Sequence, residues 1–215
     1  TPPSPWCAGR GGSPARLAWI DRAGREMGSV GSPAGFESVR LSPDSRSVAV
    51  NRVNPRTGLR DLLIGDPSRG VLTPLDLGAD DYQPAVWSPD GARIAFGVGT
   101  RSHPPALHRL ALRGSGSPEP LLPPGGSQRA EDWSPDGRFL LYFAARVNSD
   151  NGLWVVNTEG EPAPRKLVSE TTAPAQAQFS PDGHWIAYCS TESGRSEVYL
   201  TSFPDPGQPV RVSVS

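Results

Sequence analysis

The tripeptide Ser-Pro-Asp occurs four times in this 215-residue chain, and each copy begins 46 residues after the previous one. The copies are Ser42, Pro43 and Asp44; Ser88, Pro89 and Asp90; Ser134, Pro135 and Asp136; and Ser180, Pro181 and Asp182. Three equal intervals without an insertion indicate a repeated structural unit. A period in the forties with strand-like segments is typical of a β-propeller blade.

The chemistry of the tripeptide predicts a tight turn. Proline holds φ near about −65°, and an aspartate side chain hydrogen-bonds its own backbone. A glycine, which tolerates positive φ, follows the aspartate in three copies, as Gly91, Gly137 and Gly183. Ser45 takes this position in the first copy, where we expect either mild backbone strain or a slightly different turn. We therefore assign the four aspartates to turn geometry and not to catalysis.

The residues around each turn predict the strands of a blade. A large apolar residue precedes each serine, namely Leu41, Trp87, Trp133 and Phe179. Runs rich in branched and aromatic residues begin six positions after the serine, at 48–50, 94–96, 140–142 and 186–188. Two further β-prone segments follow in each unit, and the last of them is the more polar. Together with the strand that ends at the apolar residue before the serine, these segments give four strands per unit, which make one blade.

The chain is therefore predicted to be all-β, a propeller with four complete four-stranded blades and one outer half-blade. The propeller domain covers residues 17–215, with the half-blade at 17–31 and blades at about 36–78, 82–124, 128–170 and 174–215. Residues 1–16 are rich in proline and glycine, and we interpret them as a linker or a blade remnant. No stretch keeps a helical period for three turns.

Charge and hydropathy exclude two classes of partner. The net charge is −1 with both signs mixed along the chain, which argues against a nucleic-acid partner. No apolar run approaches the roughly 18 residues of a membrane span, so direct membrane insertion is not expected. The two cysteines, Cys7 and Cys189, do not make a disulfide framework.

The repeats resemble a known family. The segments "WSPDGARIAF", "DWSPDGRFLLYF" and "FSPDGHWIAYCSTESGRSEVYLTSFPDPGQPVRVS" are similar to the WD-like repeats of TolB-type β-propellers. "LAWIDRAGREMGSVG" and "ESGRSEVYLTSFPDPG" resemble most the C-terminal propellers of bacterial membrane-anchored Ser/Thr protein kinases. The resemblance implies a six-bladed ring in an extracytoplasmic or periplasmic location, with a sensor or interaction role.

Four blades and a half would form only part of a six-bladed ring. We expect an open arc whose first and last blades expose their faces, although four complete blades could also close by themselves. An open arc is expected to dimerise, to bind a partner at its ends or to aggregate.

No catalytic motif is recognisable in the chain. A G-x-S-x-G nucleophile motif, a phosphate-binding loop, a dinucleotide fingerprint and the kinase signatures are all absent from the sequence. The histidines His103, His108 and His184 fall in different registers of the repeat, so no metal site is predicted. We expect neither catalysis nor a cofactor in this segment, and a kinase domain of a longer parent protein would lie outside it.

One group of polar residues is a candidate binding site. Glu131 and Asp132 lie on the inner strand of the third unit, where Arg40 and Gln178 occupy the position of Asp132 in the first and fourth units. Around the channel mouth these side chains could bind a small polar ligand or a peptide. Alternatively, Arg40 and Asp132 form an ion pair that only stabilises the channel wall.

The loops between the second and third strands are a second candidate surface. They cover about 51–60, 99–105, 146–152 and 190–196 and should gather on one rim. We predict a non-catalytic protein- or ligand-binding propeller, part of a larger bacterial protein such as a Ser/Thr kinase or a TolB-type protein. The alternatives are the substrate-gating propeller of a prolyl-oligopeptidase-type serine peptidase and a metal-dependent propeller lyase.

Overall fold

A computed structural model describes residues 14–75, 81–113, 116–145, 151–169 and 175–213. Over these residues the secondary structure consists of eighteen β-strands, which form four sheets. The prediction for residues 1–13 lies outside the described residues, and the first strand begins at Ala15.

The first sheet combines the half-blade with the first blade. Its strands are β1 (Ala15–Ile20), β2 (Glu26–Leu41), β3 (Val48–Val53), β4 (Arg60–Asp66) and β5 (Val71–Pro74). The first half of β2 pairs with β1 and the second half pairs with β3. The positive φ of Gly31, at 69°, accommodates the change of direction, and its N–H donates to the carbonyl oxygen of Gly70. One strand therefore links the half-blade to the first blade.

The second blade has an interrupted inner strand. It contains β6 (Asp81–Tyr82), β7 (Val86–Trp87), β8 (Arg93–Gly99), β9 (Ala106–Ala111) and β10 (Glu119–Pro120). Both β6 and β7 pair with β8, so together they take the place of one inner strand. Pro84 lies between them and has no N–H to donate to a ladder.

The third and fourth blades are regular four-stranded antiparallel sheets. The third contains β11 (Ser127–Trp133), β12 (Phe139–Ala145), β13 (Gly152–Asn157) and β14 (Arg165–Ser169). The fourth contains β15 (Ala175–Phe179), β16 (Trp185–Ser190), β17 (Glu197–Ser202) and β18 (Val210–Arg211). The predicted all-β propeller with four complete blades and a half-blade is confirmed.

Each Ser-Pro-Asp segment forms the turn between the first and second strands of its blade. In the second blade the Ser88 hydroxyl donates to Oδ1 of Asp90 at 2.5 Å and accepts the N–H of Arg93 at 2.9 Å. The same pair of bonds recurs in the other three turns. The serine hydroxyl is the main cause that lowers the pKa of Asp90. These aspartates thus serve the turn, as predicted.

The fourth position of each turn adopts positive φ. The values are 65° for Gly91, 75° for Gly137 and 73° for Gly183, and the non-glycine residue Ser45 has φ of 59°. Of the two alternatives for Ser45, the first turn therefore keeps the geometry of the other three, with a non-glycine residue at positive φ.

Consecutive turns lie against one another. A Cβ atom built on Gly91 would lie 3.7 Å from Cδ of Pro43, in the preceding turn. The corresponding distances are 3.9 Å from Gly137 to Pro89 and 3.7 Å from Gly183 to Pro135. The four turns therefore follow one another in chain order along one rim, which we call the turn rim.

The core lies between neighbouring blades. One apolar cluster joins Ala49 and Leu62 of the first blade to Ile94 and Phe96 of the second. Equivalent clusters join the second blade to the third and the third blade to the fourth. Among the described residues, no buried cluster joins the fourth blade to the first. Burial of apolar side chains between facing sheets thus holds successive blades together.

Candidate functional site

Glu131 and Asp132 fasten the third blade to the fourth. The pairing of β11 with β12 shifts between Ala130 and Asp132, so Glu131 occupies a β-bulge. Oδ2 of Asp132 accepts the backbone N–H of Phe179 at 2.8 Å. Backbone N–H groups of Gln176 and Ala177 hydrogen-bond Glu131, which also pairs with Arg129 at 2.5 Å. Both carboxylates therefore bind the backbone of β15, the inner strand of the next blade.

Burial dominates the electrostatics of both carboxyl groups. It raises the pKa of Asp132 to about 6, although the N–H groups of Phe179 and Trp133 and the charge of Arg40 act in the opposite direction. Burial likewise raises the pKa of Glu131, against the lowering effect of the Arg129 guanidinium. Asp132 therefore titrates about two pH units above an ordinary aspartate, and its charged form is held at an energetic cost.

Arg40 and Gln178 differ in their exposure and in their position relative to Asp132. Arg40 is half-buried, pairs with Ala49 in the sheet and lies within electrostatic reach of Asp132. Gln178 is exposed and pairs with Ala187, so it lies on the face of the fourth blade that points away from the third. The structure thus brings Arg40 near Asp132 but places Gln178 on another surface.

The substitution Asp132→Asn is expected to remove the contribution of this carboxyl group to the pH dependence of the free energy of unfolding. The folded pKa of about 6 lies above the ordinary value of 3.8, so the folded state binds more protons between these values. Wild-type protein should therefore lose about 2 kcal/mol relative to the variant as pH rises from 4 to 7. Urea unfolding at pH 4, 5, 6 and 7 measures this difference.

Asp44→Asn is the matched control, because the Ser42 hydroxyl lowers the pKa of Asp44. Wild-type protein should gain stability relative to this variant as pH rises through the acid range. A difference between wild type and Asp132→Asn that stays constant with pH would refute the assignment for Asp132.

The loops between second and third strands gather on the rim opposite the turns. The described loops cover 54–59, 100–105 and 191–196, whereas residues 146–150 lie outside the described residues. The Arg101 guanidinium of the second blade donates to the carbonyl oxygen of Thr57 in the first at 2.8 Å. The expectation that consecutive loops meet on one rim is therefore confirmed for these two blades.

A cleft of about 340 Å³ opens on the turn rim between the third and fourth blades. Its apolar lining comes from Pro135, Phe139, Phe203 and Pro204. The rings of Phe139 and Phe203 meet edge to face with centroids 5.2 Å apart. This arrangement gives the cleft an apolar lining built from two blades.

Charged side chains border the same cleft. Asp136 and Asp182 come from the two turns, and Arg138 and His184 lie two residues after them. The hydrogen bond from Ser180 is the main cause that lowers the pKa of Asp182. The guanidinium of Arg138 lies 3.8 Å from Asp136 and also covers the ring of Phe139 at 5.5 Å. The cleft thus combines an apolar lining with polar groups at its mouth, as binding pockets do.

Sequence reasoning missed this cleft because its lining comes from distant segments. One signal was present: Phe139 occupies the repeat position that holds Ser47 in the first blade and Arg93 in the second. An aromatic residue at this position leaves an apolar surface beside the turn.

Two further structural features concern metal binding and membrane insertion. Among the described residues, the His, Cys, Asp and Glu side chains form no group of three that could hold a metal ion. No helix able to cross a bilayer occurs in the described part of the chain.

Comparison with known proteins finds similarity at the level of structure. No family model and no curated protein matches the sequence. A protein described as TolB from Agrobacterium tumefaciens is 25% identical with a TM-score of 0.72, over 89% of this chain and 65% of that one. TolB from Acinetobacter baumannii is 20% identical with a TM-score of 0.71, over 91% of this chain and 48% of that one. The chain thus spans between about half and two thirds of these TolB chains.

An enzyme structure also matches. Oligogalacturonate lyase in complex with manganese is 16% identical with a TM-score of 0.68, over 90% of this chain and 58% of the lyase. At this identity the likeness concerns the fold alone, since one propeller fold hosts many functions. The arrangement of the blades and the similarity to the two TolB structures show that this chain has a β-propeller fold like that of the TolB structures.

Proposed function

We propose that this chain is a non-catalytic binding module that holds a peptide segment of a partner protein in the cleft between its third and fourth blades. The observation that carries the proposal is the cleft itself, with its lining of Phe139, Phe203 and two prolines. A volume of about 340 Å³ accommodates an apolar side chain with its neighbouring backbone.

The surroundings of the cleft favour recognition over chemistry. Oδ1 of Asp136 and Oδ1 of Asp182 each accept two hydrogen bonds from their own turns. Carboxylates held in this way position the turn and are not poised to abstract a proton. Arg138 and His184, both exposed, remain able to contact the backbone or charged groups of a peptide.

The loop rim and the channel residues Arg40, Glu131 and Asp132 are a second part of the proposed binding surface. The bond of Asp132 to the backbone of β15 fixes the wall between the third and fourth blades. The loops at 54–59 and 191–196, which are mostly exposed, present polar side chains to a partner. The resemblance to TolB-type and kinase-linked propellers supports an extracytoplasmic setting for this recognition. A peptidase role would depend on a separate domain, because this chain has no serine-nucleophile motif.

Peptides displayed on phage and selected against the full chain test the proposal. His184→Trp places an indole beside the cleft, and Arg46→Trp makes the same change at the corresponding position of the first turn. We expect the selected peptides to bind His184→Trp at least tenfold more weakly, which is about 1.4 kcal/mol, and Arg46→Trp within twofold of wild type. Isothermal titration calorimetry with the synthetic peptides measures both.

Two results would contradict the proposal. Failure of every selected peptide to bind the purified chain would argue against a peptide-binding module. Equal binding to wild type and His184→Trp, with loss on Arg101→Ala, would move the site to the loop rim.

A further inference from the structure

The cleft between the third and fourth blades has a counterpart at each earlier blade junction, and one backbone hydrogen bond defines the equivalent positions. In the second, third and fourth blades, the first residue after the third strand donates its N–H to the residue that follows the turn glycine. The donors are Leu112, Thr158 and Phe203. Phe203 of the cleft therefore takes the place of a leucine and a threonine in the earlier blades.

Aromatic residues face each other only at the cleft. Phe139, in the turn that faces Phe203, corresponds to Arg93 and Ser47 in the earlier turns. Between the second and third blades, the Thr158 hydroxyl donates to the carbonyl oxygen of Gly137 at 2.7 Å. That junction is thus closed by a hydrogen bond of the protein itself, whereas the later junction carries an open apolar cleft.

Two guanidinium groups bring hydrogen-bond donors to this cleft. Arg138 lies over the ring of Phe139 at 5.5 Å, and Arg165 lies over the ring of Phe203 at 5.8 Å. Arg165 also donates to the carbonyl oxygen of Pro204 at 2.6 Å, which uses one of the five N–H groups of a guanidinium. Because both arginines are exposed, further N–H groups can reach a ligand.

Acceptor atoms beside the cleft are largely used within the protein. Oδ1 of Asp136 and Oδ1 of Asp182 each accept two hydrogen bonds. The carbonyl oxygens of His184 and Pro204 likewise accept N–H groups of the protein. The cleft therefore offers a ligand more donors than acceptors.

A segment rich in proline has the complementary chemistry. Proline has no N–H, so a polyproline II helix presents carbonyl acceptors without donors, and its rings pack into aromatic-lined grooves. The positive guanidinium groups complement the partial negative charge of those carbonyl oxygens. Other peptides would bring N–H groups that remain unpaired here. An acidic segment would also offer acceptors, but Asp136 and Asp182 repel it.

We propose, on the basis of the proposed peptide-binding function, that the segment held in this cleft is rich in proline and binds as a polyproline II helix. Its proline rings pack beside Phe139 and Phe203, and its carbonyl oxygens accept N–H groups of Arg138 and Arg165. The aromatic pair supplies apolar contact, and the arginines fix the orientation of the helix.

A capped proline decamer, titrated into the full chain by isothermal titration calorimetry, tests the proposal. Two related peptides carry alanine or glutamate in place of every second proline. Alanine restores N–H groups and loosens the helix, whereas glutamate adds negative charge and also restores N–H groups. We expect the decamer to bind and each related peptide to bind about fivefold more weakly or worse.

Variants of the protein locate the binding. Phe139→Arg gives the third turn the residue that the second turn has in Arg93 and should weaken decamer binding about tenfold or more. Arg165→Ala removes an exposed donor and should weaken it about fivefold. Arg22→Ala, an exposed arginine between the first two strands, should stay within about twofold of wild type. Circular dichroism checks that each variant is folded, and Arg165→Ala keeps the test valid if Phe139→Arg is not.

The outcomes separate this inference from the proposed function. Selected peptides that bind more weakly to His184→Trp, but are not enriched in proline, would overturn the inference and leave the peptide-binding function standing if the decamer also fails to bind. Decamer binding that neither Phe139→Arg nor Arg165→Ala weakens would overturn it as well. Failure of every peptide, the decamer included, would overturn both.

Discussion

Replacing Phe96 by alanine is expected to lower the free energy of unfolding by about 3–5 kcal/mol. The ring is fully buried between the first and second blades, where it meets Ala49, Leu62 and Ile94. It also packs against Tyr82 with ring centroids 6.3 Å apart. Truncation removes these contacts and leaves a cavity that rigid sheet backbones cannot close. Urea unfolding monitored by tryptophan fluorescence measures the loss.

Val71→Ala is the control for this experiment. Val71 is 56% exposed, so its truncation should change stability by no more than about 0.5 kcal/mol. If Phe96→Ala cost less than about 1 kcal/mol, the proposed packing between the first two blades would be wrong.

Gly97→Ala is expected to destabilise the protein by about 3 kcal/mol, at the upper end of the range for overpacking. A Cβ atom at Gly97 would lie 2.7 Å from the carbonyl oxygen of Gln128, on the inner strand of the third blade. It would also lie 2.8 Å from Cγ of Gln83. Because the first of these atoms belongs to the backbone, the second and third blades must separate to admit a methyl group.

Gly28→Ala provides the comparison within the same fold. Gly28 also lies in a strand, and no heavy atom falls within 4 Å of a Cβ built there. Alanine should be neutral at this position or stabilise the protein by up to about 1 kcal/mol, because it restricts the unfolded chain. Equal effects of the two substitutions, measured by urea unfolding, would contradict the close approach of the blades at Gly97.

The repeat made the blade and its turn predictable, because both depend on local chemistry. Serine, proline and aspartate build the same hydrogen bonds in each copy, and even Ser45 adopts the positive φ that its position demands. The continuous strand β2 was harder to predict, because it depends on the hydrogen bond from the N–H of Gly31 to the carbonyl oxygen of Gly70. Neither residue alone signals that contact.

The candidate site was less predictable than the fold because its contacts cross between blades. The role of Asp132 depends on the N–H of Phe179, and a bulge after Ala130 directs Glu131 to the same strand. Sequence equivalence placed Gln178 beside Asp132, yet Gln178 lies on the face of the fourth blade that points away from the third. Position within a repeat predicts the face of a sheet, but not which neighbour will cover that face.

The central claim is that the four blades follow one another in order, with each Ser-Pro-Asp turn resting on the preceding one. Nuclear Overhauser effects between a glycine Hα and a proline Hδ test it directly. The structure predicts cross-peaks between Gly91 and Pro43, between Gly137 and Pro89, and between Gly183 and Pro135. Absence of all three once these protons are assigned, or cross-peaks that instead link turns of non-consecutive blades, would contradict the propeller arrangement.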